Sequence, residues 1–486
     1  MWVLLGRIVT ALIAIASLRI MTHFLEPKDY GIYTLLVAFQ GFCGLFLINP
    51  VGQHINRHTH AWWDDGTLLK RLVGYNAYIL AVSAGIAIVV VIWWLLYPST
   101  NNNITSSSLA ALAVCAIVYF GTWNGTFVYI LNMIGFRGGS VAWMTASSII
   151  GLVFSTILVY QYRTATSWVF GQSVGMSVGA IGAGLMLRRY QAARVFAHHD
   201  LNELSTLLNR QTILRYCLPL AVATGFMWLQ NTGYRFWVGG IWGVAELGIL
   251  AIGLSISSQL WSILESLAMQ FLNPYFFRHI SEVKTDWQMS GVLSDMVNVM
   301  WPLYAVFAGF NILFASSLLV VLTNGRYHTA MTFVMLGALI EFARCTTNLL
   351  SYASQIQRNT TKVILPYGFG ALIVWLSTLG ISYFNGDLKM LAIALVISGG
   401  VTCVTMIVLM QRMLPVVLDL RRWGCGSVML ILSLVAVVVI PIRNDSLYQN
   451  VGLLLMGVIF SGGCMAVLLW RNPALIRLLS VSLRNT

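Results

Sequence analysis

Residues 73–97 read VGYNAYILAVSAGIAIVVVIWWLLY and contain no charged side chain. The hydrocarbon core of a bilayer is about 30 Å thick, and about 20 apolar residues in a helix cross it. Mostly apolar stretches of similar length recur along the chain, among them Val3 to Thr22 and Gly31 to Pro50. A helix satisfies its own backbone hydrogen bonds, so it is stable in lipid. The sequence therefore predicts an all-α polytopic membrane protein.

The whole chain has the composition of such a protein. Of its 486 residues 58% are hydrophobic and 9% are charged, and the mean hydropathy is +0.80, which leaves no material for a sizeable water-soluble domain. The pattern predicts fourteen spans: residues 3–22, 31–50, 73–97, 109–131, 140–160, 167–187, 213–234, 246–270, 292–314, 329–352, 363–384, 388–410, 425–442 and 450–470.

The basic residues predict the orientation of these spans. If the N-terminus is cytoplasmic, the inner loops carry 19 of the 28 Lys and Arg residues and the outer loops carry six. The excess of positive charge in the inner loops favours both termini in the cytoplasm. Because the net charge of +13 is spread over many loops and forms no single patch, nucleic acid is not an expected partner.

The sequence lacks signatures of soluble enzymes such as a P-loop or HExxH, so the protein is not expected to be an enzyme. Its seven cysteines stand singly, which argues against a disulfide or a zinc site. His54, His58 and His60 lie close together, but no Cys or carboxylate stands at ligand spacing, and no metal site is expected.

Two parts of the chain repeat a short order of motifs. Asp29-Tyr30-Gly31-Ile32 follows the first span and Glu246-Leu247-Gly248-Ile249 follows the seventh; Asn49-Pro50 and Asn273-Pro274 then end the second and eighth spans, each before an Arg-His pair. Parallel repeats of six spans are typical of transporters with a site between two lobes. We therefore expect a six-helix lobe at 1–187, a cytoplasmic linker at 188–212, a second six-helix lobe at 213–411 and an additional helix pair at 412–486.

Charged residues inside or at the ends of spans are the candidate functional residues, because charge is costly in lipid and usually faces a partner or a wet cavity. Arg19, Arg215 and Arg235 lie close enough to span ends for their side chains to reach an interface instead. Glu265 lies about two turns inside the eighth span. Glu341 and Arg344 lie near the middle of the tenth span at i, i+3 spacing, which allows an ion pair with either a structural or a functional role.

A resemblance to a known family rests on short motifs. Residues 24–33, FLEPKDYGIY, resemble the L-x-P-x-D-Y-G-x-Y signature after the first helix of Wzx-type polysaccharide flippases, of the multidrug/oligosaccharidyl-lipid/polysaccharide exporter superfamily. In the second half, Ala245 to Ile249 are similar to the family's A-E-x-G-x-Y, although Leu250 replaces the usual Tyr. Asn324-Gly325-Arg326-Tyr327 resembles its G-x-x-Y but is one residue shorter.

The resemblance implies a V-shaped arrangement of two lobes and transport by alternating access. The implied substrate is an undecaprenyl-pyrophosphate-linked oligosaccharide, flipped across a bacterial inner membrane for O-antigen, capsule or exopolysaccharide assembly beside glycosyltransferases and a polymerase. Cationic residues would hold the anionic headgroup, here Arg19, Arg215, Arg235 and Arg344. Glu265 and Glu341 would bind a coupling ion, H⁺ or Na⁺, and no other cofactor is expected.

Three alternative functions stay open. A cation-coupled multidrug-type antiporter would use the same acidic residues, although that branch typically has twelve helices and an acid-lined first lobe. A lipid II flippase would share the span number and fold and differ only in substrate. A noncatalytic membrane scaffold would not need charges inside the membrane.

Overall fold

The computed structural model describes residues 2–96, 104–192, 210–283, 285–357, 359–439 and 446–483, and these residues contain helices and no β-strand. The chain forms two compact units, Met1–Gly248 and Ile249–Thr486. The predicted linker at 188–212 includes residues outside the described ones, so the lobe boundaries stay a prediction.

The helices of the first unit are α1 (Trp2–Phe24), α2 (Pro27–Phe42), α3 (Asn49–Asp64), α4 (Leu68–Leu96), α5 (Ile104–Met133), α6 (Arg137–Tyr162), α7 (Ala165–Ala192), α8 (Arg210–Trp228) and α9 (Tyr234–Ile241). Their apolar faces pack in pairs, above all α6 on α7, α5 on α7 and α4 on α5. Two hydrophobic clusters form its core, one around Val90 and Val114 and the other around Trp63 and Leu131.

The helices of the second unit are α10 (Val244–Glu282, which begins in the first unit), α11 (Asp286–Leu313), α12 (Ala315–Leu322), α13 (Met331–Ile356), α14 (Ile364–Tyr383), α15 (Leu388–Gln411), α16 (Leu420–Val439), α17 (Leu447–Leu469) and α18 (Pro473–Leu483). The unit is built around α11, in which 78% of the residues in the apolar stretch are buried. In α16 and α17 only 6% and 11% of the residues in the apolar stretch are buried, as expected of helices that face lipid.

All fourteen predicted spans are helical in their described residues, apart from a turn residue at the end of three of them, Phe314, Phe384 and Trp470. Among the described residues, twelve helices are long and apolar enough to cross a membrane. The other two predicted spans are α1, whose described apolar part Ile8–Phe24 is shorter, and the seventh, which the structure divides into α8 and α9. The prediction of a polytopic all-α membrane fold is confirmed.

The sequence predicted that an Asn-Pro pair ends each of two spans, but the helix continues beyond both pairs. A π-helical segment, Cys43–Ile48, joins α2 to α3, and the helix continues through Pro50 to Asp64. Because proline has no N–H and its ring crowds the preceding turn, a wider turn before it lets the helix continue. Helix α10 likewise runs past position 274 to Glu282.

The glycines of the two matched motifs lie against each other. A Cβ on Gly31 would stand 1.9 Å from the carbonyl oxygen of Val244, and a Cβ on Gly248 would stand 1.9 Å from that of Pro27. The starts of α2 and α10 therefore approach as closely as two backbones can, and only glycine fits there. This reciprocal contact is the structural reason for the glycine in each motif.

An extended segment after α15 is bound to polar side chains of α11. The amide of Asn298 donates to the carbonyl of Val417 at 2.8 Å, and its Oδ1 accepts from the backbone N–H of Asp419 at 2.9 Å and from Trp423 Nε1 at 3.1 Å. Ser294 Oγ also accepts from the N–H of Val417, so side chains of α11 satisfy these backbone groups of the segment leading to α16.

Candidate functional site

The charged residues of α10 and α13 form one cluster, which we call the acidic triad: Glu265, Glu341 and Arg344. Arg344 Nε donates to Glu341 Oε2 at 2.6 Å, and Arg344 Nη2 donates to Glu265 Oε2 at 3.2 Å. The expected i, i+3 pair is present within α13, and Glu265 joins it from 79 positions earlier in the chain. Both acidic residues predicted to bind a coupling ion thus lie at one place.

The triad is buried but not sealed. The side chains of Arg344, Glu265 and Glu341 are 27%, 22% and 11% exposed. This is deep enough to strengthen charge interactions relative to water. It still leaves part of each side chain exposed.

The triad carries an uncompensated charge. Two carboxylates face one guanidinium, so the cluster has a net charge of −1 when all three groups are ionised. A buried charge without compensation is costly.

Neutral polar groups next to the triad were missed by the sequence analysis. Tyr304 on α11 lies within electrostatic reach of Glu265 and Arg344, and Trp261 lies one turn before Glu265 on α10. Both are fully buried, and their O–H and N–H groups have no hydrogen-bond partner within the described residues. The i, i+4 spacing of Trp261 and Glu265 is a signal that could have identified one of them.

Cys345 and the pair Tyr367–Asn348 complete the surroundings of the triad. Arg344 Nη2 lies 3.3 Å from Cys345 Sγ, and the Tyr367 hydroxyl donates to Asn348 Oδ1 at 3.2 Å. These groups supply further oxygen and sulfur atoms near the carboxylates.

Arg235, predicted to bind the headgroup, lies at the start of α9 in the first unit. Its Nε is buried and has no hydrogen-bond partner in the described part of the chain. Tyr33 on α2 lies within its electrostatic reach. An acceptor for this Nε is therefore missing among the described residues.

The other three arginines predicted to bind the headgroup lie on α1, α8 and α13. Arg19 lies on α1 with an exposed side chain that takes part in an interaction within the protein. Arg215 lies on α8, and its side chain is outside the described ones. Arg344 contacts two carboxylates through Nε and Nη2.

No family model matches the sequence, and no curated protein is similar to it. Solved structures do match the fold. The lipid II flippase MurJ in an inward closed conformation aligns over 97% of this chain and 99% of its own, with a TM-score of 0.66 and 11% identity.

Two further structures align over 88% and 89% of this chain. One is a multidrug resistance MATE family transporter of the MOP superfamily in an inward-facing conformation, with a TM-score of 0.52, 13% identity and 94% of that chain covered. The other is a MOP superfamily transporter from Pyrococcus furiosus, described as having a binding pocket of reversed polarity, with a TM-score of 0.51, 14% identity and 94% of that chain covered. The chain therefore has the fold of MOP superfamily transporters.

Proposed function

We propose that the protein is a flippase that moves an undecaprenyl-pyrophosphate-linked oligosaccharide from the cytoplasmic to the outer leaflet of a bacterial inner membrane. The MOP fold supports a transporter. The motif FLEPKDYGIY and the alignment over nearly the full length of a lipid II flippase favour a lipid-linked substrate over a small solute.

One observation carries the proposal, which is the separation of charge between the two units. The first unit contains Arg235, whose buried Nε has no acceptor within the described residues. The second contains the acidic triad with its net negative charge. Arg235, together with Arg19 and Arg215, would hold the diphosphate, since the planar guanidinium fits phosphate oxygens in a bidentate manner. The triad would bind the coupling ion, H⁺ or Na⁺.

Reconstitution into vesicles tests the substrate. A fluorescent short-chain polyprenyl diphosphate oligosaccharide is placed in both leaflets, and an impermeant reductant bleaches the outer one. We expect the inner fraction to stay protected in protein-free vesicles and to become bleachable in vesicles with the protein. Arg235→Ala should slow this bleaching, whereas Lys389→Ala, which removes an exposed cation, should not.

The second candidate is a cation-coupled multidrug antiporter, which the acidic triad and the alignment with the multidrug transporter favour. The same vesicles loaded with a fluorescent organic cation distinguish the two. Gradient-driven efflux of the dye without movement of the lipid would overturn the flippase proposal and support the antiporter. Movement of lipid II, but not of other lipid-linked oligosaccharides, in the same assay would identify a lipid II flippase.

A further inference from the structure

Three side chains lie together near the turn between α3 and α4. We call them the Trp62 cluster: Trp62, Arg71 and Tyr75. The Arg71 guanidinium carbon lies 5.1 Å from the centroid of the Trp62 ring, and the Tyr75 ring stacks on Trp62 at a centroid distance of 6.5 Å. Arg71 and Tyr75 are one turn apart on α4 and so share a face. All three belong to the first unit and none is among the predicted site residues.

Each member of the cluster has a buried hydrogen-bond donor with no acceptor in the described residues: Trp62 Nε1, Arg71 Nη1 and Tyr75 Oη. Trp62 is only 2% exposed and Arg71 only 5% exposed. A buried donor without an acceptor is destabilising, so three in one cluster require an explanation.

Neighbouring donors in the same core do have acceptors. Trp123 Nε1 and the Tyr119 hydroxyl both donate to Asn76 Oδ1, at 3.2 Å and 2.8 Å. The fold thus supplies an amide oxygen where it buries one indole and one phenol. At the Trp62 cluster it supplies none to the three donors.

The positive charge of Arg71 also lacks a counter-ion. Arg71 Nε donates to Thr67 Oγ1 at 3.1 Å, and within the described ranges no carboxylate lies in ion-pairing distance of the guanidinium. The face of the Trp62 ring attracts the cation. The ring supplies no oxygen or nitrogen acceptor for its own N–H or for the Tyr75 hydroxyl.

The chemistry of the missing partner follows from these donors. A water molecule has two lone pairs and no charge, so it can accept from only two of the three and leaves Arg71 uncompensated. A tetrahedral oxyanion has several acceptor oxygens and a negative charge. The start of α4 lies beside the cluster, and the positive end of a helix dipole favours an anion.

We propose that Trp62, Arg71 and Tyr75 form a binding site for a phosphate oxyanion, supplied either by a membrane lipid headgroup or by inorganic phosphate. Arg71 supplies the charge and a guanidinium N–H, and Trp62 and Tyr75 each add one directed donor. The site uses no residue of the proposed transport function, so it stands or falls independently of the transported substrate.

Thermal unfolding of the purified full-length protein in a phosphate-free detergent tests this site, because a ligand that binds only the folded state raises the Tm by an amount that grows with the ratio of ligand concentration to Kd. The probes are inorganic phosphate, with chloride at equal ionic strength as control, and phosphatidic acid, with diacylglycerol as the phosphate-free control. The variants are Trp62→Phe and Tyr75→Phe, which each remove one donor and keep a ring, and Arg71→Lys. Tyr78→Phe on the same helix removes a hydroxyl that already donates to the Leu47 carbonyl and serves as the matched control.

We expect a phosphate probe to raise the Tm of the wild type and of Tyr78→Phe equally. Each cluster variant should need at least about tenfold more of that probe for the same rise in Tm, the consequence of losing one strong hydrogen bond. A variant-sensitive response to phosphatidic acid alone identifies a lipid headgroup, and a response to inorganic phosphate identifies a free anion. No response of the wild type to either probe, or the same rise in Tm of wild type and cluster variants at each probe concentration, would overturn the proposal.

Discussion

Arg344 on α13 and Glu265 on α10 are 79 positions apart in the chain, and their Nη2 and Oε2 atoms lie 3.2 Å apart. Because Glu341 holds the same guanidinium from within α13, Arg344 has two carboxylate partners. Removing either carboxylate leaves a neutral pair, whereas removing both leaves a buried cation alone. This redundancy determines how variants of the triad should behave.

The first prediction concerns abundance in the membrane. Glu341→Gln and Glu265→Gln should each leave abundance near that of the wild type, because Arg344 keeps one carboxylate. The double variant should lose about 3 to 5 kcal/mol of folding free energy, the usual cost of a buried charge without its partner. Abundance measured by quantitative blotting of membranes checks this, with exposed Glu246→Gln as the matched control. Additive small losses in the double variant would contradict it.

A second prediction separates ion coupling from structure. If the triad binds the coupling ion, Glu341→Gln should keep abundance but make substrate movement in vesicles insensitive to an imposed H⁺ or Na⁺ gradient, since the variant no longer carries the net negative charge. Leaflet accessibility of the fluorescent lipid is measured with and without each gradient. Full gradient response in Glu341→Gln would count against any coupling role of this carboxylate.

Exchange of the charges within α13 gives a third prediction. In the double variant Glu341→Arg with Arg344→Glu, the pair within the helix is restored, but position 344 now presents a carboxylate to Glu265. Like charges at this distance repel, so abundance should fall well below that of the wild type. Adding Glu265→Gln to the exchanged protein should restore part of the abundance. Normal abundance of the exchanged protein alone would show that the contact with Glu265 is unimportant.

The close contact of Gly31 and Gly248 at the starts of α2 and α10 gives a fourth prediction. A Cβ on Gly31 or Gly248 would collide with a backbone carbonyl, which cannot move aside as a side chain can. Each Ala substitution should therefore lower stability by about 1 to 3 kcal/mol or more. Gly85→Ala is the matched control, because the space around Gly85 on α4 is open, and it should be neutral or stabilising by about 0.5 to 1 kcal/mol. The comparison is made by the temperature of unfolding in detergent.

A fifth prediction concerns topology, which the positive-inside count favours with both termini in the cytoplasm. Reporter fusions after Thr100 and after His199, positions that lie outside the described residues, should report opposite sides of the membrane. Both reporters on the same side would contradict the orientation.

The sequence by itself determined that the chain is helical and crosses a membrane repeatedly, because apolar residues in runs of bilayer length have no other stable environment. It also identified Glu265, Glu341 and Arg344 as unusual, and the i, i+3 spacing predicted the pair within α13. Local geometry is sufficient for such an inference, since helical periodicity places neighbours on one face.

Only the tertiary structure decided which distant groups meet. The contact of Arg344 with Glu265, the burial of α11 and the unpaired donors of Trp62, Arg71 and Tyr75 all depend on how helices rotate and pack against one another. The hydropathy of α11 does not distinguish it from the other spans, and yet it lies at the centre of its unit. Membrane helices are uniformly apolar, so hydrophobic periodicity carries little information about their facing sides, and close packing and polar contacts determine them instead.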